Sequence, residues 1–170
     1  MDKGEILFSR RSIRKYKKEG QINDEQIRYM LNAAMSAPTA MNRQPWQFVV
    51  IRNTEKLKEL SQVFPYGKML ADAAVGILVC GDSRVDELES NLVQAGSAAT
   101  QNLLLAAHAI GLGAVWLGVH GREERMKKLK ELFKLPLEVV PISMISIGVP
   151  DEEKPRNDNY NPERVHNEQW

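Results

Sequence analysis

Apolar residues recur every three or four positions through the middle of the chain, between Leu88 and Ile110. The repeat is made of Leu88, Leu92, Ala95, Ala99, Leu103, Ala106 and Ile110. Residues at this spacing share one face of an α-helix, so the pattern predicts a long helix. Residues 90–121 contain no Asp, Glu, Lys or Arg, although 26% of the chain is charged, which indicates that this helix lies in the core.

Small residues line the first half of this helix, at positions 95–99. They let another backbone approach closely, either a neighbouring element of the same chain or the same helix of a second copy in a dimer. In a dimer, we expect Ala95, Gly96 and Ala99 at the closest approach. A membrane span is excluded, because the polar side chains along the helix would lack partners in lipid and the mean hydropathy is −0.38.

Other segments show the signals of strands and further helices. Apolar runs at 46–51, 74–80, 114–119 and 139–148 predict strands, and Pro141 in the last run implies an edge strand or a bulge. Asn23 and Gln26 have the spacing of a capping box, which predicts a helix that ends before Pro38. Thr54 predicts the cap of another helix, and residues 123–133 form an amphipathic, strongly charged surface helix.

Composition narrows the class of protein. A length of 170 residues fits one domain, 1–170, that buries roughly two-thirds of its unfolded surface. Lys and Arg number 23 and Asp and Glu 22, so no charge excess points to nucleic acid or a membrane surface. The single Cys80, expected to be a buried thiol, excludes an intramolecular disulfide and a multi-cysteine metal site. The N-terminal sequence MDKGEILFSRRS lacks the apolar segment of a signal peptide, which predicts a cytoplasmic protein.

The segment 10–18 is dominated by basic residues and has two interpretations. One is a basic face that is simply solvated. The other depends on the alternation of Arg10, Ser12 and Arg14, which places the three side chains on one side of an extended segment. Two guanidinium groups and a hydroxyl on one side suit a phosphate.

Two irregular segments carry further polar groups. The loop 38–45 lies between two prolines and offers the amides of Asn42 and Gln44, which are either ordinary turn residues or ligand contacts. Residues 150–170 are polar, contain three prolines after Val149 and end in Trp170. A terminal segment of this kind is either frayed or extended across a surface of the same chain or of a neighbouring copy, with Tyr160, Val165 and Trp170 as anchors.

Most catalytic motifs are missing from the chain. No GxSxG, HExxH or GxxxxGK[ST] sequence occurs, and His108, His120 and His166 have no metal-ligand spacing. Gly111 and Gly113 follow a predicted helix and precede a strand, which is the reverse of the dinucleotide-binding order. What remains is a phosphate clamp, a polar loop and glycine-flanked backbone, which suits a cofactor that supplies its own chemistry.

Four segments together resemble the nitroreductase family of FMN-dependent enzymes. They are residues 10–16 (RRSIRKY), 36–46 (SAPTAMNRQPW), 111–118 (GLGAVWLG) and 154–156 (KPR). They occur in the order that is typical of the family and extend over nearly the whole chain. The likeness is to its short members, which lack the long insertions of larger relatives.

The resemblance implies an α+β fold, in which helices flank a mixed central sheet, and an obligate homodimer with two FMN sites at its interface. The segment from about 150 to 170 would wrap the partner and be exchanged between protomers. Arg10, Arg11, Ser12 and Arg14 would contact FMN, with Arg14 at the ribityl chain or the pyrimidine edge, and Lys154 and Arg156 would approach the phosphate. Further contacts are implied at Trp116, Leu117 and Gly118, and, from the partner, at Pro38, Thr39, Ala40, Asn42 and Gln44.

The implied activity is ping-pong transfer of a hydride from NADH or NADPH through flavin N5 to a nitroaromatic, a quinone or a similar small acceptor. No side chain is predicted to be catalytic in its own right. Alternatives are an FMN reductase, a reductive dehalogenase, or a flavin-binding module with little turnover. The sequence 64–67 (FPYG) offers no amide side chain where longer relatives place one near the flavin.

Overall fold

A four-stranded sheet forms the centre of the computed structural model, which describes residues 4–170. The strands are β1 (Trp46–Ile51), β2 (Val75–Asp82), β3 (Gly113–Gly118) and β4 (Val139–Gly148). Their order across the sheet is β1-β2-β4-β3, so β1 and β3 form the two edges. The predicted strands are confirmed, with shifts of one or two residues at the ends of β2 and β3.

Helices cover both faces of this sheet. They are α1 (Glu5–Ser9), α2 (Asp24–Met35), α3 (Thr54–Val63), α4 (Glu89–Ala109) and α5 (Glu123–Phe133). The fully buried strand β2 separates the two halves of the core, because successive side chains point to opposite faces. Ile77 and Val79 pack with α2 and α4, whereas Leu78 and Cys80 pack with α3 and α5. Burial raises the pKa of the Cys80 thiol to about 12, which confirms an inert core cysteine.

The predicted α+β class is confirmed. The sheet was predicted to be mixed, and its one parallel component, among the described residues, is an isolated bridge. Each pairing between the named strands is antiparallel. Parallel pairing is limited, in the part of the chain described, to the isolated bridge between Ser12 and Ala114. No helix within residues 4–170 is both long and apolar enough to cross a membrane.

Local signals located the helices well. Asn23 and Gln26 form the predicted capping box, each side chain bonding the other's backbone N–H. The cap of α3 is Asn53 rather than Thr54, since the Asn53 side chain accepts from the N–H of Lys56 at 2.9 Å. The first predicted helix is confirmed over Glu5–Ser9, and its predicted start at Asp2 lies outside the described residues.

The small residues of α4 serve the chain's own sheet. A Cβ at Gly96 would lie 3.0 Å from the side chain of Ile142 in β4, and Ala99 is completely buried. The prediction that Ala95, Gly96 and Ala99 form the closest contact between two copies is therefore wrong. Ile142 is also the extra residue of a bulge beside Pro141, so the proline lies at a bulge in a central strand and not at an edge.

Two paired glycines make room for the basic segment at the end of the sheet. Gly113 of β3 lies opposite Gly148 of β4. A Cβ at Gly113 would meet Ile13 at 2.6 Å, and one at Gly148 would meet the Tyr16 ring at 2.6 Å. The Tyr16 hydroxyl donates to the Ile13 and Ser146 carbonyls, both at 3.0 Å. This buried tyrosine fixes the segment 10–16 against the edge of the sheet.

Candidate functional site

The basic segment 10–16 runs antiparallel to residues 150–156, which brings opposite ends of the chain together. Tyr16 forms an antiparallel bridge with Pro150. Farther along, the Lys154 ammonium donates to the Ser12 carbonyl at 2.6 Å. The Arg11 guanidinium donates to the carbonyl of Pro155. The structure thus places Arg11, Ser12 and Lys154, which the sequence analysis grouped, beside one another.

Glu152 joins the two segments. Its carboxylate accepts the backbone N–H of Arg14 at 2.6 Å and that of Lys15 at 3.2 Å. The Lys154 ammonium lies 3.3 Å from the same oxygen. The N–H of Arg14, and secondarily Lys154, hold the pKa of Glu152 below its usual range despite partial burial. The backbone of the basic segment is therefore fixed by an ionised carboxylate.

Arg10 carries a buried donor that is not satisfied. Its Nε is buried and has no hydrogen-bond partner among residues 4–170. Burial, and then the charge of Arg11, lower the pKa of Arg10, although a guanidinium stays charged. An unpaired buried donor is costly, so this group favours an anion beside it.

Arg156, which the sequence analysis expected at the phosphate, contacts residues of α1. Its guanidinium pairs with Glu5 at 2.9 Å and stacks 5.2 Å above the centre of the Phe8 ring. Arg10, Ser12 and Arg14 lie on the basic segment. To bind the same anion as they do, Arg156 would have to leave Glu5. The expected role of Arg156 therefore stays a prediction.

A cleft of about 770 Å³ lies beside β3, and Arg14 of the basic segment is one of its lining residues. It is lined by Arg14, Phe64, Pro65, Tyr66, Lys68, Trp116, Leu117, Gly118 and Arg125. No atom lies within 4 Å of the position that a Cβ on Gly118 would occupy, so the backbone there is open to a ligand. The volume falls in the range of roughly 300–1,000 Å³ that is typical of sites for small organic ligands.

Five of the lining residues were missed by the sequence analysis: Phe64, Pro65, Tyr66, Lys68 and Arg125. Arg125 belongs to the first turn of α5, donates to the Gly118 carbonyl and stacks 4.9 Å above the centre of the Phe64 ring. Burial, and then the charge of Arg122, lower the pKa of Arg125. The turn 64–67 was noted only for the amide it lacks, and no local signal linked it to α5.

The loop 38–45 precedes β1 and therefore lies at the opposite edge of the sheet. None of its residues lines the cleft. Met41, Asn42 and Gln44 have φ of 49°, 53° and 56°, a left-handed backbone that is uncommon for residues other than glycine. Gln44 stabilises this shape, because its N–H donates to the Thr39 hydroxyl at 3.1 Å and its side-chain amide to Asn42 at 3.0 Å.

A buried carboxylate supports the same loop from below. Asp86 is 1% exposed and accepts the N–H of Leu88 at 3.1 Å and the amide of Asn91 at 3.0 Å. The Arg43 guanidinium lies 3.6 Å from the same carboxylate. The loop is thus preformed and exposed, with its polar groups held in place although none of them lines the cleft.

The C-terminal anchors are exposed in the single chain. Tyr160 is 77% exposed, Val165 51% and Trp170 101%. Trp170 stacks on His166, with ring centres 4.3 Å apart. Large apolar side chains in this state are candidates for contact with a second molecule.

Comparison with known proteins links these features to one family. The family model described as Nitroreductase family matches residues 7–65 and 61–149. A protein of Archaeoglobus fulgidus, provisionally named NADH dehydrogenase/NAD(P)H nitroreductase, is 47% identical over 169 residues, which cover 97% of each chain.

Solved structures agree with this match. A protein of Parabacteroides distasonis with the same provisional name has a TM-score of 0.93 at 32% identity, covering 98% of this chain and 97% of its own. A nitroreductase of Desulfovibrio desulfuricans, solved in complex with FMN, has a TM-score of 0.83 at 33% identity, covering 98% and 96%.

Proposed function

The chain belongs to the nitroreductase family, and we propose that it is an FMN-dependent NAD(P)H oxidoreductase that reduces nitroaromatics, quinones or similar flat acceptors. The observation that carries this proposal is the open cleft at Gly118, because its lining residue Arg14 belongs to the same basic segment as Arg10. The cleft combines apolar lining residues, such as Trp116 and Leu117, with basic ones, such as Arg14, which suits a flat ring that carries a phosphate. The names and the bound FMN of similar proteins support the same cofactor and donor.

The phosphate of FMN fits the basic end. The unsatisfied Nε of Arg10 would donate to it, and the Ser12 hydroxyl and the Lys154 ammonium lie on the adjoining segments. Arg11 is already bonded to Pro155 and would contribute mainly charge. Arg156 would reach the phosphate by leaving Glu5, which makes it the weakest member of the set.

The flat ring of FMN fits along β3. Trp116, Leu117 and Gly118 would border it, with the exposed backbone of Gly118 beside the reacting edge and Arg14 toward the pyrimidine. When bound, FMN accepts a hydride from NAD(P)H at N5 and passes the electrons to a second substrate that occupies the same face. The residues of this chain would orient the ring, supply positive charge and leave one face open.

A second copy would complete the site. We propose a homodimer in which Pro38, Thr39, Ala40, Asn42 and Gln44 contact the FMN of the partner, and in which residues 150–170 wrap the partner. The preformed loop and the exposed Tyr160 and Trp170 support this arrangement. The proposed dimer also accounts for an FMN site that is open on one side in a single chain.

Protons for the acceptor come from water in this proposal. His120 is the nearest histidine along the chain, but it lies 2.6 Å from Glu89 and is not among the residues that line the cleft. The described lining residues include no carboxylate and no histidine. An acid in the protein is therefore unnecessary at a site that is open to solvent.

The proposal is tested by anaerobic addition of NADH or NADPH to the protein as purified. We expect the absorbance of oxidised flavin to be lost and then restored when a quinone is added. A yellow protein whose absorbance does not change with either donor would be a flavin-binding module and would contradict the proposal. A protein that purifies without flavin and fails to bind added FMN would contradict the cofactor as well.

A further inference from the structure

We propose that the electron acceptor of this protein carries a negative charge and that Lys68 and Arg125 select it. This inference rests on the proposed oxidoreductase function, since it names the class of acceptor that the same cleft takes. A nitro compound or quinone with a carboxylate or sulfonate group is an acceptor of this class.

The cleft has an unbalanced charge. Arg14, Lys68 and Arg125 line it, and its described lining contains no acidic residue. The neighbouring rim carries two further cations, Arg122 and Lys128, and two carboxylates, Glu123 and Glu124, so the excess of positive charge belongs to the cleft itself. The proposed site assigns Arg14 to the flavin ring and the cluster around Arg10 to its phosphate, so Lys68 and Arg125 remain. The anionic donor NAD(P)H would meet these two charges first, and because it leaves before the acceptor binds in a ping-pong cycle, the charges then face the acceptor.

These cations are also unpaired, in contrast to many others in the protein. Arg84 pairs with Asp82, Arg156 with Glu5, and Lys58 with Glu55. Among residues 4–170, neither Lys68 nor Arg125 lies within ion-pair distance of a carboxylate. Unpaired charge of one sign in a cleft attracts ligands of the opposite sign.

Arg125 is held in a fixed position at the wall of the cleft. Its Nη1 donates to the Gly118 carbonyl, and the plane of the guanidinium is fixed by stacking on Phe64. A guanidinium has five N–H donors, and this carbonyl uses one, so others are available to a carboxylate. Lys68 is exposed at the start of a 3₁₀ turn and adds a mobile charge on the same cleft.

The test compares 4-nitrobenzoate with 4-nitrobenzamide, which have nearly the same shape and differ in charge. We expect kcat/KM for the anion to be about tenfold higher at low ionic strength, because a charge-assisted contact in a partly exposed cleft is of this order. The preference should fall as salt is added, since screening weakens exposed charges. Equal kcat/KM for the two acceptors at low salt would overturn the proposal.

Variants assign the preference to residues. Lys68→Met and Arg125→Met should each lower the ratio of the two kcat/KM values several-fold, chiefly through KM for the anion. Arg125→Lys keeps the charge and should restore much of the ratio, which separates charge from the packing on Phe64. Lys127→Met, which removes an exposed charge from the middle of α5 that does not line the cleft, should leave the ratio unchanged. If Lys127→Met lowered the ratio as much as Lys68→Met does, the preference would depend on net charge alone, which would contradict the assignment to Lys68 and Arg125.

Binding provides a readout besides turnover. Isothermal titration calorimetry of the purified protein without NAD(P)H should give a Kd for 4-nitrobenzoate about tenfold below that for 4-nitrobenzamide. If both compounds are reduced with equal efficiency and bind equally, the proposed oxidoreductase function stands and the anionic acceptor is wrong. If the anion binds selectively but neither compound is reduced, the selective site stands and the proposed function is wrong.

Discussion

The two edges of the sheet differ in how complete their chemistry is within one chain. At the β3 edge, the segments 10–16 and 150–156 contact each other, and Arg14 and the first turn of α5 line a charged cleft. At the β1 edge, the loop 38–45 has equally specific internal bonds, yet it lines no part of that cleft.

The difference indicates how the site is assembled. Left-handed backbone at Met41, Asn42 and Gln44 costs free energy, of order 1–3 kcal/mol for each strained residue. The hydrogen bond to Thr39 and the ion pair of Arg43 with Asp86 hold the loop in this conformation. Strain that is held in place at an exposed loop favours a binding role. The proposed account is that each edge supplies half of a site, and that a second copy brings the two halves together.

Removing the unsatisfied donor at the β3 edge should have the largest effect. Arg10→Ala is expected to weaken FMN binding by roughly ten- to a hundredfold, because a charge-assisted contact to phosphate is lost. Titration of the flavin-free protein with FMN measures this. Lys56→Ala, an exposed cation on α3, is the control and should bind FMN normally. Unchanged affinity in Arg10→Ala would remove this residue from the site.

Two glycines at the same edge should separate stability from binding. Gly148→Ala places a methyl group against the Tyr16 ring and should lower the free energy of unfolding by about 1–3 kcal/mol. Gly118→Ala adds a methyl group to open space, so the free energy of unfolding should change by less than about 0.5 kcal/mol. FMN binding should nevertheless weaken in Gly118→Ala. Denaturant unfolding and FMN titration of both variants measure these effects. A Gly118→Ala variant that binds FMN as tightly as the parent would contradict the account.

The sequence predicted the helices and strands better than it predicted the residues of the cleft. The bounds of α5 and the capping box of α2 were correct because each depends on residues only a few positions apart. The cleft depends on Phe64, Lys68 and Arg125 meeting across long separations, which no local pattern records. The basic segment was found from the alternation of Arg10, Ser12 and Arg14, whereas its link to residues 154–156 came from the family resemblance. The ion pair between Arg156 and Glu5 was not foreseen, because it joins residues far apart along the chain.

A smaller effect is expected beneath the loop at the β1 edge. Asp86→Asn keeps the shape of the side chain but removes the charge that faces Arg43, so FMN affinity should fall by about two- to fivefold. Asp82→Asn is a matched control, because Asp82 is also buried and pairs with Arg84 at 2.6 Å without contacting Arg43. Both variants should lower Tm, and only Asp86→Asn should weaken FMN binding. Equal FMN affinities in the two variants would detach the loop from the site.

The smallest effect concerns the junction of the chain ends at low pH. The pKa of Glu152 is lowered in the folded protein, so its contribution to stability is present above the unfolded pKa of about 4.3 and is lost as the pH falls through the folded value. Glu152→Gln should therefore flatten the loss of stability below about pH 5. Acid unfolding followed by circular dichroism measures this, with the exposed neighbour Glu153→Gln as control. Identical acid transitions in the two variants would contradict the role of Glu152.

The most direct test of the shared site mixes two defective chains. One carries Arg10→Ala at the β3 edge, and the other carries Thr39→Ala and Asn42→Ala at the β1 edge. After dissociation and reassociation in equal amounts, half of the dimers contain one chain of each kind and have one intact site each. About a quarter of all sites should then bind FMN with the parent affinity, as two-fold symmetry requires. If the mixture binds no better than the separate variants, the two edges do not complete one another across the dimer.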